Sequence, residues 1–140
     1  MIGLGAQLIG IDTNVILRYV LRDDPGQYPA AAQFIESLTR DSPGVITQVT
    51  LAEIYWVLSR GRRMPKDDCL TVIRGLVEAE VLEFDDGESV VRALTLAEEG
   101  ADFADALIQG AFELFGVDGV VTFDRHASEQ LGWRLLGSTA

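Results

Sequence analysis

Apolar residues recur along the chain with two alternating spacings, which predict strands and helices in turn. Short apolar runs typical of buried strands lie at 7–11, 45–47, 81–84, 119–122 and 133–136. Between these runs, apolar residues fall three or four positions apart, as they do along one face of a helix. These stretches predict helices at 14–21, 28–38, 51–61, 66–78, 88–98, 105–115 and 125–131.

Strands that alternate with helices over the whole length predict an α/β fold. Because parallel strands need a crossover between them, we expect a three-layer α/β/α sandwich with a central, mainly parallel sheet of about five strands. The length of 140 residues is typical of one domain, and no repeat or linker interrupts the pattern. We therefore expect a single domain over residues 1–140.

The composition argues against several classes of protein. No apolar stretch reaches the roughly 18 residues that a spanning helix needs, and the N-terminus lacks the features of a signal peptide, so we expect a cytoplasmic protein without membrane contact. The single cysteine, Cys69, cannot form an internal disulfide. Gly3-x-Gly5 precedes the first strand, whereas a dinucleotide fingerprint follows it, so no nucleotide cofactor is expected.

The charge is strongly acidic. The chain has 22 acidic and 11 basic residues, a net charge of −11 and a pI near 4.3. Such a chain binds a phosphate backbone only where a divalent metal or a local basic patch overcomes the repulsion, or else its main partner is basic. The one basic run, Arg60, Arg62, Arg63 and Lys66, is typical either of a solvated loop or of a surface that steers RNA.

Four carboxylates occur where the predicted strands end or the following helices begin. Asp12 follows the first strand and Asp124 the fourth, and ligands bind beyond the carboxyl ends of strands in sheets of this kind. Asp105 shares a helix face with apolar residues three and seven positions on, so its charge is expected to point toward the interior. Glu53 lies in the first turn of the helix after the second strand.

These carboxylates need a counter-charge. Lysine and arginine are absent from the segments around Asp12, Glu53 and Asp105, so the simplest neutralising partner is a hard divalent cation, Mg²⁺ or Mn²⁺. Such an ion supports phosphodiester hydrolysis. The only histidine, His126, cannot by itself supply the acid and base pair of a metal-free ribonuclease.

Each carboxylate alone is also compatible with a purely structural role. Asp12 is a candidate helix cap, Glu53 is placed to complete a capping box with Thr50, and Asp124 is a candidate turn residue. Asp102 is expected to cap the helix that carries Asp105. The metal hypothesis therefore depends on the four carboxylates together.

Four segments resemble the motifs of the PIN-domain family and occur in that family's order. Residues 11–17 resemble the opening aspartate motif, 50–58 the central glutamate helix, 102–108 the third motif and 121–124 the fourth. Together the motifs span nearly the whole chain. Their order and spacing in a chain of this size resemble specifically the VapC toxins of bacterial toxin–antitoxin pairs.

The resemblance implies a function and a set of site residues. It implies an Mg²⁺- or Mn²⁺-dependent endoribonuclease that cleaves tRNA or ribosomal RNA and leaves a 5′-phosphate. It also implies a homodimer and a cognate VapB-like antitoxin, whose basic or aromatic segment reaches the metal site. The catalytic, metal-binding residues would be Asp12, Glu53, Asp105 and Asp124, with possible support from Asp102 and Thr122.

Two other functions remain open from the residues. A haloacid-dehalogenase-like phosphatase would need Asp-x-Asp after the first strand, where this chain has Asp12-Thr13-Asn14. A non-catalytic PIN-like protein-binding module would have the same fold without a metal site that needs all four acids. A metal titration separates that module from the nuclease.

Overall fold

Within residues 7–137, which the computed structural model describes, five short strands alternate with α-helices. Gly3-x-Gly5 lies outside the described residues. No helix in residues 7–137 has the length and apolar character needed to cross a bilayer. The elements are β1 (Ile9–Gly10), α1 (Thr13–Leu21), α2 (Tyr28–Ser37), β2 (Gly44–Ile46), α3 (Gln48–Trp56), α4 (Lys66–Glu78), β3 (Leu82–Phe84), α5 (Gly87–Glu98), α6 (Phe103–Phe115), β4 (Val121–Thr122), α7 (Arg125–Leu131) and β5 (Arg134–Leu135).

The strands are all parallel and form two small sheets. In the first sheet β2 lies between β1 and β3, with Ile9 opposite Gly44 and Val45 opposite Glu83. In the second sheet β4 pairs with β5, with Val121 opposite Arg134. The α/β fold with parallel strands is therefore confirmed, whereas the predicted single sheet of about five strands is not shown.

The chain divides after Gly87 into two compact units. The first unit contains β1 to β3, α1 to α4 and a π-helical segment, Val57–Gly61, that directly continues α3. The second unit contains the helices and strands from Glu88 onward. The expectation of a single domain over the whole chain stays a prediction.

The core of the first unit is aliphatic. Ile46 of β2, Leu51 and Ile54 of α3 and Ile73 of α4 are completely buried, and each such side chain contributes about 1.5–3 kcal/mol to folding. Gly44 is also buried, and a Cβ at this position would overlap the end of the Ile11 side chain. A larger residue at position 44 would therefore displace the side chain of Ile11, which directly precedes Asp12.

The core of the second unit combines large side chains, among them Phe103 and Trp133, with many small ones. Phe103, at the start of α6, is completely buried, and Ala106 and Gly110 continue the same buried face. A Cβ added to Gly110 would lie 3.4 Å from the Cβ of Ser89 in α5. Small residues thus let α6 approach α5 closely. The expected stop of α6 at Gly116 is confirmed, since Gly116 adopts a left-handed conformation with φ of 70°.

Candidate functional site

Asp12 follows β1 and caps α1. Its backbone is extended, with φ of −77° and ψ of 156°, and its Oδ1 accepts a hydrogen bond from the backbone N–H of Thr13 at 2.9 Å. The helix positions this carboxylate because an N-terminus presents unsatisfied N–H groups and a positive dipole end. The side chain is exposed, and the hydrogen bond engages only one oxygen. The capping role is therefore confirmed and is compatible with a ligand role.

Glu53 lies on the exposed face of α3. The predicted capping box of Thr50 and Glu53 is wrong, because the helix begins at Gln48 and its cap is Thr47. The Thr47 hydroxyl accepts a hydrogen bond from the backbone N–H of Thr50 at 3.1 Å. The helix begins earlier than predicted because β2 ends at Ile46, one residue before Thr47. Glu53 therefore does not cap the helix, although the sequence favoured that role.

Asp102 and Asp105 occupy the first turn of α6. Asp102 is the N-cap, as predicted, and its Oδ2 accepts a hydrogen bond from the Asp105 backbone N–H at 3.0 Å. The prediction that Asp105 shares an interior face with Ile108 and Phe112 is wrong. Ile108 is 44% exposed and Phe112 37% exposed. The helix buries instead the face that carries Phe103, so Asp105 is only half-buried.

Asp124 lies between β4 and α7 and caps that helix. Its Oδ1 accepts a hydrogen bond from the backbone N–H of Ala127 at 3.1 Å. Thr122 supports this geometry, because its hydroxyl accepts a hydrogen bond from the Asp124 backbone N–H at 3.0 Å. One ring nitrogen of His126, Nε2, lies 2.9 Å from the carbonyl oxygen of Gly100. Asp124 is therefore a fixed, exposed carboxylate directly beyond a strand.

The donor chemistry of these carboxylates fits a hard divalent cation, which prefers oxygen ligands. Three of them, Asp12, Asp102 and Asp124, direct one oxygen to a helix N-terminus. However, the described residues 7–137 contain no group of three or more His, Cys, Asp or Glu side chains placed to hold one ion. The first unit carries Asp12 and Glu53, and the second carries the other candidates. The assignment of four residues to one metal site stays a prediction.

Two cavities of the first unit do not coincide with these carboxylates. Each has a volume of about 510 Å³. One is lined by residues of α1, α2, α4 and β3, and the other by residues of β1, α1 and α2. Neither Asp12 nor Glu53 lines either cavity, and both side chains are exposed.

The contact between the exposed ring of Trp56 and Arg60 of the basic run was not predicted from the sequence. The guanidinium carbon of Arg60 lies 5.2 Å from the centroid of the Trp56 ring. Of the other basic residues, Arg62 is ion-paired with Asp23, and this hydrogen-bonded guanidinium lowers the pKa of the Asp23 carboxyl. The four-residue spacing of Trp56 and Arg60 on a helix was the available signal.

Comparison with known families gives one result. A family model described as PIN domain matches residues 9–130 of the chain. The matched segment contains every candidate carboxylate, from Asp12 to Asp124. No curated protein matches the chain.

Proposed function

Because this chain belongs to the PIN domain family, whose members are generally nucleases, we propose that it is a divalent-metal-dependent endoribonuclease. The observation that carries the proposal is the family match over residues 9–130, which includes all four carboxylate motifs. The structure supports it by placing Asp12 and Asp124 beyond strand ends with one carboxylate oxygen each engaged in capping. We further propose that the enzyme is a VapC-type toxin acting on tRNA or ribosomal RNA.

In the proposed mechanism the acidic side chains bind Mg²⁺ or Mn²⁺. Asp12, Asp105 and Asp124 would hold the ion, and Glu53 would hold a second ion or orient a water molecule. When bound, the cation would supply positive charge for the phosphate oxygens. The caps on Asp12 and Asp124 fix the direction of each carboxylate, and such fixed ligands avoid a reorganisation cost at the moment of reaction.

Glu53 offers the sharpest mutational test of this function. It is exposed and does not cap its helix, so Glu53→Gln changes the charge with little effect on folding. Glu78→Gln, at an exposed position of α4, is the matched control. End-labelled tRNA and ribosomal RNA are incubated with each protein in Mg²⁺ or Mn²⁺, and with EDTA.

We expect wild type and Glu78→Gln to cleave RNA with metal, and EDTA to abolish cleavage. Glu53→Gln should lose most of the activity at an unchanged melting temperature. Cleavage that persists in EDTA would contradict metal dependence. Inactivity of the metal-loaded wild type on every RNA would favour a non-catalytic PIN-like binding module.

We also propose a homodimer and a basic antitoxin of the VapB type. Leu114 and Phe115 support the homodimer, since they are 72% and 88% exposed and apolar surface of this kind is typical of interfaces. The net charge of −11 supports a basic partner. Sedimentation of wild type and Phe115→Ser tests the dimer: an unchanged monomeric species in both would contradict it.

A further inference from the structure

One face of α3 and its π-helical extension is exposed along its whole length. Its members are spaced four, three and four residues apart, so they lie above one another on the helix surface. All four side chains are exposed, and Trp56 is 50% exposed. We call this the Trp56 face; it consists of Val49, Glu53, Trp56 and Arg60. The opposite face is buried and consists of Leu51, Ile54, Tyr55 and Leu58.

The ring of Trp56 is held beside a cation rather than packed into the core. The Arg60 guanidinium lies over it at 5.2 Å, a cation–π contact that helps to fix the ring at the surface. Arg60 belongs to the π-helical segment Val57–Gly61, and π-helical turns occur often at functional sites. The protein therefore presents a flat aromatic surface and a planar cation together.

The arginines near Trp56 favour a ligand that is negatively charged. Arg62 is neutralised by its ion pair with Asp23. In contrast, Arg60 and Arg63 make no ion pair within residues 7–137, and both side chains are exposed. In a chain of net charge −11, this is a local positive site beside an aromatic ring. A nucleotide matches both features, because its phosphate is anionic and its base has a flat π-surface.

The exposed Trp56 ring distinguishes between paired and unpaired nucleotides as ligands. Bases inside a duplex are stacked on one another, whereas the bases of loops and single strands are free to stack on aromatic side chains and arginine. The Trp56 ring stands at an exposed helix surface, where an unpaired base can stack on it. The ligand that fits this surface is therefore an unpaired nucleotide.

We propose that Trp56 and Arg60 form a platform for an unpaired RNA nucleotide, whose base stacks on Trp56 while Arg60 and Arg63 bind the neighbouring phosphates. Glu53 lies one helical turn from Trp56 on the same face, so the bound nucleotide lies close to the phosphate that is cleaved. This inference rests on the proposed nuclease function and extends it: the substrate is cut next to an unpaired base.

Binding is tested with fluorescein-labelled oligouridine of about 12 nucleotides, which spans a typical single-strand site, in low-salt buffer with EDTA so that no cleavage occurs. Trp56→Leu removes the ring and keeps an apolar side chain, while Trp56→Phe keeps a smaller ring. Loss of one stacked base corresponds to a Kd about 5- to 150-fold higher. We expect that change for Trp56→Leu and a much smaller change for Trp56→Phe.

Intrinsic fluorescence locates the bound base. The chain has two tryptophans, and Trp133 is buried with its ring N–H donated to Gln109, so RNA should quench only Trp56. We expect quenching in wild type and none in Trp56→Phe, which retains Trp133. Each phosphate contact to a single strand contributes about −0.7 to the salt slope of log K. Arg60→Gln should therefore flatten the slope by about that amount, whereas the control Arg40→Gln should leave it unchanged.

The outcomes separate the platform from the nuclease function. Absence of quenching in wild type, or equal Kd values for wild type and Trp56→Leu, would overturn the platform even if the protein cleaves RNA. Quenching and a Trp56→Leu defect without any metal-dependent cleavage would support the platform and overturn the proposed nuclease. If both hold, Trp56→Leu should raise the KM for RNA more than it lowers kcat.

Discussion

The carboxylate of Asp12 combines a structural and a proposed chemical role, and two substitutions separate them. Asparagine keeps a side-chain oxygen that accepts the hydrogen bond from the Thr13 N–H, now 2.9 Å away, but it carries no charge. Alanine removes both the acceptor and the charge. The account therefore predicts that Asp12→Asn and Asp12→Ala lose the same activity and differ in stability.

The magnitudes follow from the geometry of the cap. Replacing an N-cap Asp by Ala costs about 0.5–2 kcal/mol, and the lower half of that range is expected because Asp12 is an exposed residue that accepts a single hydrogen bond. A loss of about 1 kcal/mol lowers Tm by about 3 °C in a chain of this length. Asp12→Asn should stay within about 0.5 kcal/mol of wild type. Both variants should lose more than about 100-fold in cleavage rate, because each weakens metal affinity.

Thermal unfolding followed by circular dichroism measures the stability, and cleavage of end-labelled RNA with Mn²⁺ measures the activity. The matched control is Asp24, whose Oδ1 accepts hydrogen bonds from Gly26 and Gln27 before α2. Asp24→Asn should keep wild-type activity. The reasoning is refuted if Asp12→Asn cleaves RNA like wild type, or if it is destabilised as strongly as Asp12→Ala.

Three further predictions concern local structure. Urea unfolding should show a loss of about 1 kcal/mol for Thr47→Ala and less than half of that for Thr50→Ala, because Thr47 is the cap; the reverse order would restore the predicted capping box. The Arg62 hydrogen bond lowers the pKa of Asp23, so its stabilisation is present above the ordinary carboxyl pKa and is lost as the pH falls through the lowered value. The urea midpoint of wild type should thus exceed that of Asp23→Asn at pH 7 and converge with it in acid, and a constant difference would exclude this linkage. Burial raises the pKa of the Cys69 thiol, so Ellman's reagent should titrate one thiol per chain rapidly in urea but slowly in the native state; rapid native labelling would show that Cys69 is accessible.

Most helices could be predicted because their signals are local. Residues 66–78 and 125–131 match α4 and α7 residue for residue, since apolar spacing and flanking residues mark both ends. The cap at Asp102 was equally predictable, because aspartate is a preferred N-cap residue whose side chain accepts a hydrogen bond from a backbone N–H of the first turn. These features depend on neighbours in sequence alone.

The errors arose where the local sequence is compatible with two arrangements and tertiary packing determines which one forms. Helix α6 is apolar on more than one face, so the spacing that joined Asp105 to Ile108 and Phe112 did not exclude another buried face. The close approach at Gly110 to Ser89 favours the face of small residues. The apolar pattern predicts where strands lie, but it does not predict which strands pair through backbone hydrogen bonds. The division of the strands into two small sheets was therefore not predicted.

The candidate site was predictable as a set of residues but not as an arrangement. The positions of Asp12 and Asp124 after strands follow from the order of the elements. The Trp56 and Arg60 contact was missed because a π-helical segment has no distinct sequence signal, and because a basic run in an acidic chain is usually solvated.

Our central proposal is that Asp12, Asp105 and Asp124 bind one divalent metal ion with the help of Glu53. The most direct test is a crystal of the full chain grown with Mn²⁺ and measured for anomalous scattering. The account predicts a Mn²⁺ ion that is coordinated by carboxylate oxygens of these three aspartates, because hard divalent cations prefer oxygen ligands. A Mn²⁺-saturated crystal with no ion at these aspartates, or with an ion bound elsewhere, would contradict it.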